Sequence, residues 1–162
     1  MVNNIKAIPE GYYTVTPYLT IKNADQAIEF YKRAFDAKEI GRLTAPDGSV
    51  GHAELQIGDS RILLAEESIE QGRKGPQTLG GSPVSICLYV ENVDVVFKKA
   101  IAAGGKTYEG MEVKEQFYGD RSGSLTDPFG HKWTIGTHKE DVAFEEMQKR
   151  FEEMVAQQKV NM

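Results

Sequence analysis

His52, Glu54 and Gln56 alternate along one short stretch of this chain, Gly51-His-Ala-Glu-Leu-Gln-Ile-Gly-Asp59. In an extended strand, side chains two apart share a face. These three therefore point one way, and Ala53, Leu55 and Ile57 point the other. A carboxylate beside an imidazole suits several roles. The pair can exchange protons as a general acid and base. It can supply two ligands to a metal, although two rarely hold one tightly. It can anchor the polar end of a bound molecule, or be no more than a hydrogen-bonded pair on a solvated face. Other chemistry-bearing residues are scattered. Arg121, beside Asp120, either steers an anionic ligand or forms a surface ion pair of little worth. His131 sits in the turn Asp127-Pro-Phe-Gly-His131, where a structural role is expected, and Phe129 and Trp133 are expected in the core. Cys87 is the single cysteine. One cysteine makes neither an internal disulfide nor a Cys-rich zinc site. Nothing cationic adjoins it in sequence to favour the thiolate, so it reads as an inert thiol.

Composition narrows the partners. The chain has 162 residues and a formal net charge of −5. Nucleic-acid binding needs a basic face, so no nucleic-acid partner is expected. No apolar run approaches the roughly 18 residues of a membrane span. Met1 to Glu10 contains no apolar stretch of the signal-peptide kind. With a lone cysteine, these features predict a cytoplasmic protein that does not engage a membrane.

An internal repeat supplies the elements that must position these residues. Thr16 to Asp25 aligns with Ser85 to Asp94. Leu19, Asn23 and Asp25 recur as Leu88, Asn92 and Asp94 at a constant offset of 69, and Ile57-Gly58 meets Phe129-Gly130 at an offset of 72. Each half reads as strand, helix, then strands. Residues 14 to 21 alternate, with Val15, Leu19 and Ile21 on one face and Thr14, Thr16 and Thr20 on the other. Asn23 or Asp25 is expected to cap a helix carrying Ala27, Ile28, Tyr31, Ala34 and Phe35. Val93, Val96, Phe97, Ala100 and Ile101 repeat that helix, which stops at Gly104-Gly105. Strands are predicted over 38–44, 49–57 and 60–66 in the first half, and near 106–113, 121–127 and 131–137 in the second. Residues 67–83 show no periodicity and are expected to be a lid, binding loop or linker. Residues 141–158 form an amphipathic helix whose stripe, Phe144, Met147, Phe151, Met154 and Val155, docks on the body or on a second subunit.

The predicted fold class is therefore α+β: a βαβββ module over 12–66, a connection over 67–83, a second module over 84–138 and a terminal helical segment over 139–162. One helix must cover one face of each sheet. The uncovered faces then carry Thr14, Thr16, Tyr18, Thr20, His52, Glu54, Gln56, Ser85, Cys87 and Tyr89. Joined side by side they form a cup, polar but mostly neutral, fit for a small molecule needing a few placed hydrogen bonds.

The stretches Ile21-Lys-Asn-Ala-Asp-Gln-Ala-Ile-Glu-Phe-Tyr31, Gly51 to Asp59, Tyr118-Gly-Asp-Arg121 and Asp127-Pro-Phe-Gly-His-Lys-Trp133 carry a family resemblance over residues 12–138. The chain resembles the vicinal oxygen chelate superfamily, which includes glyoxalase I, bleomycin- and fosfomycin-resistance proteins and extradiol dioxygenases. Within it, the chain is similar to the branch of the phosphonate-operon B protein. The resemblance implies paired βαβββ modules, usually a homodimer, and in the enzymes one divalent metal held by His, Glu or Gln. Carried over one position at a time, the ligand positions fall on Thr16, Ser85, Thr134 and the pair Ile62/Leu63. Hydroxyls and aliphatic carbons are poor transition-metal ligands, so no metal or other cofactor is expected. Two functions follow. One is binding of a small organic molecule in the cup, with Tyr12, Tyr13, Tyr18, Tyr89, Phe117 and Tyr118 as stacking surfaces. Its contacts are expected from His52, Glu54, Gln56, Thr16, Tyr18, Ser85, Tyr118, Arg121 and Thr134. The alternative is a divalent-metal-dependent lyase, isomerase or transferase of the glyoxalase type. A vestigial cup serving protein interaction alone is a third. Elemental analysis of untagged protein separates the first two: the expected result is less than stoichiometric nickel, zinc or iron, and about one per chain overturns the metal-free reading.

Overall fold

The computed structural model describes residues 5–160, and the side chains of residues 5–157. Two four-stranded sheets carry the fold. The first contains β1 (Tyr18–Ile21), β2 (Lys38–Thr44), β3 (Val50–Ile57) and β4 (Ser60–Glu66) in the order β1-β4-β3-β2. Helix α1 (Ala24–Phe35) joins β1 to β2. The second contains β5 (Ser85–Tyr89), β6 (Lys114–Glu115), β7 (Asp120–Thr126) and β8 (Lys132–His138) in the order β5-β8-β7-β6, with α3 (Val93–Ala102) after β5. A short helix α2 (Pro76–Leu79) lies between the halves, and α4 (Phe144–Val160) ends the chain. In each sheet the first strand pairs parallel with the last, and the other neighbours are antiparallel. This is an α+β fold of two paired βαβββ modules.

Period-two patterning decides which face is covered. Leu19, Ile21, Ala53, Leu55, Ile57, Ile62 and Leu64 are buried beneath α1, whose inward side contributes Ala27, Ile28, Tyr31, Ala34 and Phe35. Leu125, Trp133 and Ile135 do the same in the second sheet, against Val93, Phe97 and Ala100. The two helices pack on one another, so both modules share one core.

A buried carboxylate ties that core together. Asp127 is 4% exposed and accepts four hydrogen bonds. Oδ2 takes the Tyr31 hydroxyl at 2.8 Å and the Trp133 indole N–H at 3.0 Å. Oδ1 takes the backbone N–H groups of Phe129 at 2.9 Å and His131 at 3.0 Å. Burial, and then Asp127 itself, push the Tyr31 hydroxyl well above the ordinary phenol range, so it stays a donor. Tyr31 belongs to the first module, and the other three donors belong to the second. Gly130, in left-handed backbone at φ +94°, completes the turn and leaves no room for a side chain against Pro76.

Several local expectations are corrected. Residues 14–17 are not strand. Pro17 has no N–H to continue the ladder, so β1 starts at Tyr18, and Val15 is 82% exposed. Neither Asn23 nor Asp25 caps α1 through its side chain. Asn23 is left-handed at φ 65°, and the cap comes from Glu66 at the end of β4, whose two oxygens accept the N–H groups of Asn23 and Ala24 at 2.8 Å each. Asn92 does cap α3, accepting the Val95 N–H at 3.2 Å. Residues 106–113 form no strand, because a turn closed by Met111 N–H to Tyr108 C=O breaks the run. What remains there is a bridge between Lys106 and Thr126 and the two-residue β6. Residues 67–83 are more ordered than their composition suggests: Glu67 accepts the Gly75 N–H and the Thr78 hydroxyl, holding α2. The last helix starts at Phe144, and its stripe is only partly covered. Phe151 lies 5.5 Å from Phe117, whereas Phe144 is 84% exposed.

Asp127→Ala leaves four buried donors without an acceptor and is expected to cost roughly 3 kcal/mol or more of folding stability. Tyr31→Phe removes one donor and is expected to cost about 1 kcal/mol. Urea denaturation of both variants checks the ranking; equal small losses would show that Asp127 does not organise the junction.

Candidate functional site

The first strands of the two sheets, β1 and β5, border one hollow between the modules, the seam. A cavity of about 560 Å³ lies there, with Tyr18, Thr20, Ser85 and Cys87 from the two strands and Lys74, Leu79 and Pro83 from the connecting segment. His131 also borders it and reaches the Thr20 carbonyl with Nε2, 3.2 Å away. A second cavity of about 590 Å³ opens over the second module between Ser85, Ser124, Thr126 and Thr134, with Tyr108 and Met111 as its apolar wall. A third, of about 220 Å³, lies at the other end of the seam between Thr16, Arg61, Cys87 and Tyr89.

Beneath the seam runs a chain of polar side chains from the first module. The Tyr18 hydroxyl is 2.8 Å from His52 Nδ1. His52 Nε2 stands 3.6 Å from Glu54 Oε1, a loose contact that ordinary hydrogen-bond geometry does not cover. Glu54 Oε2 accepts a hydrogen bond from Arg61 at 2.9 Å. Arg61 in turn lies under the Tyr12 ring, 5.1 Å from its centroid. Strand register explains the grouping: Glu54 pairs with Leu63, Leu63 with Tyr18, and Gln56 with Arg61. The Tyr12 hydroxyl, then His52 and the Arg61 charge, hold the Glu54 carboxyl below its usual range.

The expected residues divide. Tyr18, His52 and Glu54 form one cluster. His52 and Glu54 line none of the three cavities themselves, and reach them through Tyr18 and Arg61. Ser85 and Thr134 border the second cavity, where the Thr134 and Ser124 hydroxyls are 3.0 Å apart. Thr16 borders the third from the irregular segment before β1. Gln56 turns to the Gly58 carbonyl at 2.9 Å. The Tyr118 hydroxyl meets Ser122 at 2.9 Å. Arg121 is not brought to this face. It lies on the helix side, bonded to Asp94 of α3 at 2.8 and 2.9 Å, because residue 121 alternates with the open-face positions 120 and 122.

Sequence reasoning missed two groups. Arg61 alternates with the buried Ile62 and Leu64, and that phase alone puts it on the sheet face that carries Glu54. Asp120, 4% exposed, accepts the Tyr89 hydroxyl at 2.7 Å and faces His138 Nδ1 at 2.7 Å, while His138 Nε2 faces Asp141 at 3.0 Å. Asp120 draws the Tyr89 hydroxyl up to about 12. Asp120, then Asp141, raise His138 above its ordinary value.

A model of the Glyoxalase/Bleomycin resistance protein/Dioxygenase superfamily matches residues 13–135. The chain belongs to this superfamily. It is similar to the Mycobacterium bovis protein Mb0911c, with 40% identity over 137 residues covering 83% of this chain and 89% of that protein. In structure it is similar to a PhnB protein from Bacillus cereus (TM-score 0.60, 18% identity, 77% and 99% of the two chains). It is also similar to a bleomycin resistance determinant encoded on transposon Tn5 (TM-score 0.58, 19% identity, 78% and 98%).

The divalent metal implied for enzymes of this superfamily does not fit the donors present. Thr134 and Ser124 bond each other, Ser85 is a hydroxyl, and Leu63 occupies the floor beside Tyr18. Among the described residues, no group of three or more His, Cys, Asp and Glu is placed to share an ion. The side chains that do converge are proton carriers and hydrogen-bonding groups.

His138 gives this face a pH signature. A histidine whose folded value lies above its unfolded one stabilises the fold fully below the unfolded value, near 6.5, and loses that contribution as pH rises through the folded value. Wild-type stability is thus expected to fall from pH 6 towards pH 9 more than that of His138→Gln. Denaturation midpoints at both pH values test this, and parallel curves would remove His138 from the balance.

Proposed function

We propose that this protein binds a small organic molecule in the seam between its modules, without a catalytic metal, and works as a homodimer in the cytosol. The observation that carries the reading is the chain Tyr18–His52–Glu54–Arg61, which reaches the 560 Å³ cavity at one end and the 220 Å³ cavity at the other. Polar groups that converge on a partly apolar hollow fix a ligand's orientation, while the surrounding surface supplies affinity. The two halves differ in kind. The first offers Arg61, Glu54 and His52 in one polar chain, and the second offers the Ser124 and Thr134 hydroxyls, with Lys132 and Glu109 at the border, beside Tyr108 and Met111. An amphipathic molecule matches the seam, its polar end at Arg61 and its apolar end against Ile86, which borders both seam cavities. The superfamily's bleomycin-resistance members support a binding role over a reaction, as do the hydroxyls and aliphatic carbons at the expected ligand positions, which are poor metal donors. The acidic net charge, −5, supports a partner other than nucleic acid. No helix among the described residues is long and apolar enough to cross a membrane. The open edges of β2 and β6 and the exposed Tyr18 and Tyr89 support a second copy.

Native mass spectrometry of protein purified from its own cytosol tests ligand and assembly together. A dimer carrying an added small-molecule mass is expected, and the adduct should be lost from His52→Ala and from Glu54→Gln while both variants stay folded. A monomer without adduct, or an adduct indifferent to both substitutions, would move function away from this seam.

A further inference from the structure

The segment before β1 lies across the polar chain. Residues 5–16 join no ladder, and the Tyr12 N–H bond to the Pro9 carbonyl is local. Ile5, Ile8, Tyr13 and Val15 are exposed along it, yet Tyr12 turns inward. Its ring covers the Arg61 guanidinium at 5.1 Å, and its hydroxyl is the main influence lowering the Glu54 carboxyl. Gly11 passes so close that a Cβ there would stand 2.9 Å from Arg61 Nη2. Under this strap, Arg61 Nε is buried with no hydrogen-bond partner among the described residues. A buried donor left unpaired is costly, and in a native fold it asks for an explanation.

We propose that Tyr12 is a built-in occupant of the anchor, and that the molecule displacing it is a phenol: an aromatic ring stacked on the Arg61 guanidinium whose hydroxyl donates to Glu54. The inference rests on the reading that the seam binds a small molecule, and it names the chemical class. Two features select that class. The guanidinium face takes a flat π-surface, as the Tyr12 ring shows. Glu54 is an acceptor that takes a neutral O–H donor and repels an anionic head. A hydrocarbon ring satisfies the first of these alone. A carboxylate meets Glu54 with like charge. An intramolecular competitor also lowers apparent affinity by the fraction of time it vacates the site.

The probe is 4-methylphenol, titrated by NMR into the full-length chain as wild type, Tyr12→Phe, Tyr12→Ala and Tyr12→Ala/Glu54→Gln, with toluene and benzoate as comparison ligands. Thermal melts confirm that each variant is folded. Tyr12→Ala is expected to bind 4-methylphenol roughly tenfold more tightly than wild type, as for a strap seated about nine-tenths of the time. Tyr12→Phe, which keeps the ring over Arg61, gains less. Toluene and benzoate bind Tyr12→Ala more weakly than 4-methylphenol does, and adding Glu54→Gln reverses the gain. Equal 4-methylphenol affinity in wild type and Tyr12→Ala, or toluene binding as well as 4-methylphenol, overturns the proposal. If 4-methylphenol binds no variant while a co-purified molecule is still lost on Glu54→Gln, the phenol class is wrong and the seam remains the binding site. If both fail, the binding reading falls with it.

Discussion

Four donors converge on one buried carboxylate, and the geometry of the whole molecule follows from where they come from. Taking a charge out of water is tolerable only when its lone pairs are met. Asp127 is met by the Tyr31 hydroxyl of one module and by the Trp133 indole and two turn amides of the other. The helices cannot slide past one another without orphaning at least one of these groups. Phe35 packs tilted against Trp133 at 4.6 Å, and Phe30 meets Phe129 at 6.3 Å, so apolar packing fixes the same register. With the helix sides locked, the sheets have one relative placement, in which β1 and β5 border the same cavity. The seam is a by-product of that lock.

Duplication made the two open faces equivalent in backbone, and their side chains have since parted. Strand pairing matches Glu54 across from Leu63 with Ser124 across from Thr134, and Tyr18 with Cys87. At these positions the first module carries a carboxylate, an aliphatic side chain and a phenol, and the second carries two hydroxyls and a thiol. A pseudo-symmetric frame thus presents an asymmetric surface, which gives a bound molecule one preferred orientation. The second module gathers further ions at the far end of the sheet, in Asp120, His138 and Asp141.

The sheet faces were legible from sequence because burial imposes a period of two on every strand. Ala53, Leu55 and Ile57 had to go inward, and that forced His52, Glu54 and Gln56 out. The helices were equally plain from their apolar stripes. What periodicity does not carry is contact between distant segments. Nothing near Asn23 says that Glu66 will cap it, and nothing near Glu54 says that Tyr12 will lie over Arg61. Arg121 was misread for a related reason: beside Asp120 in sequence, it looked like part of one charged pair, but adjacent strand residues face opposite ways. Pro17 did carry a readable signal, since a residue without an N–H marks where a ladder stops.

The cap on α1 bears on how the chain is made. An ordinary N-cap is local and forms with the first helical turn. Here the amides of Asn23 and Ala24 wait for a carboxylate 43 and 42 residues downstream, and Tyr31 waits for an acceptor 96 residues downstream. Such closures are entropically slow compared with local ones. During synthesis, which runs from the N-terminus, the first helix emerges long before either partner exists. A chain halted after the first module would hold α1 with its amide end satisfied and Tyr31 without its acceptor. The two halves are therefore not autonomous: the first completes its own helix cap but borrows the acceptor for its buried Tyr31 hydroxyl from the second.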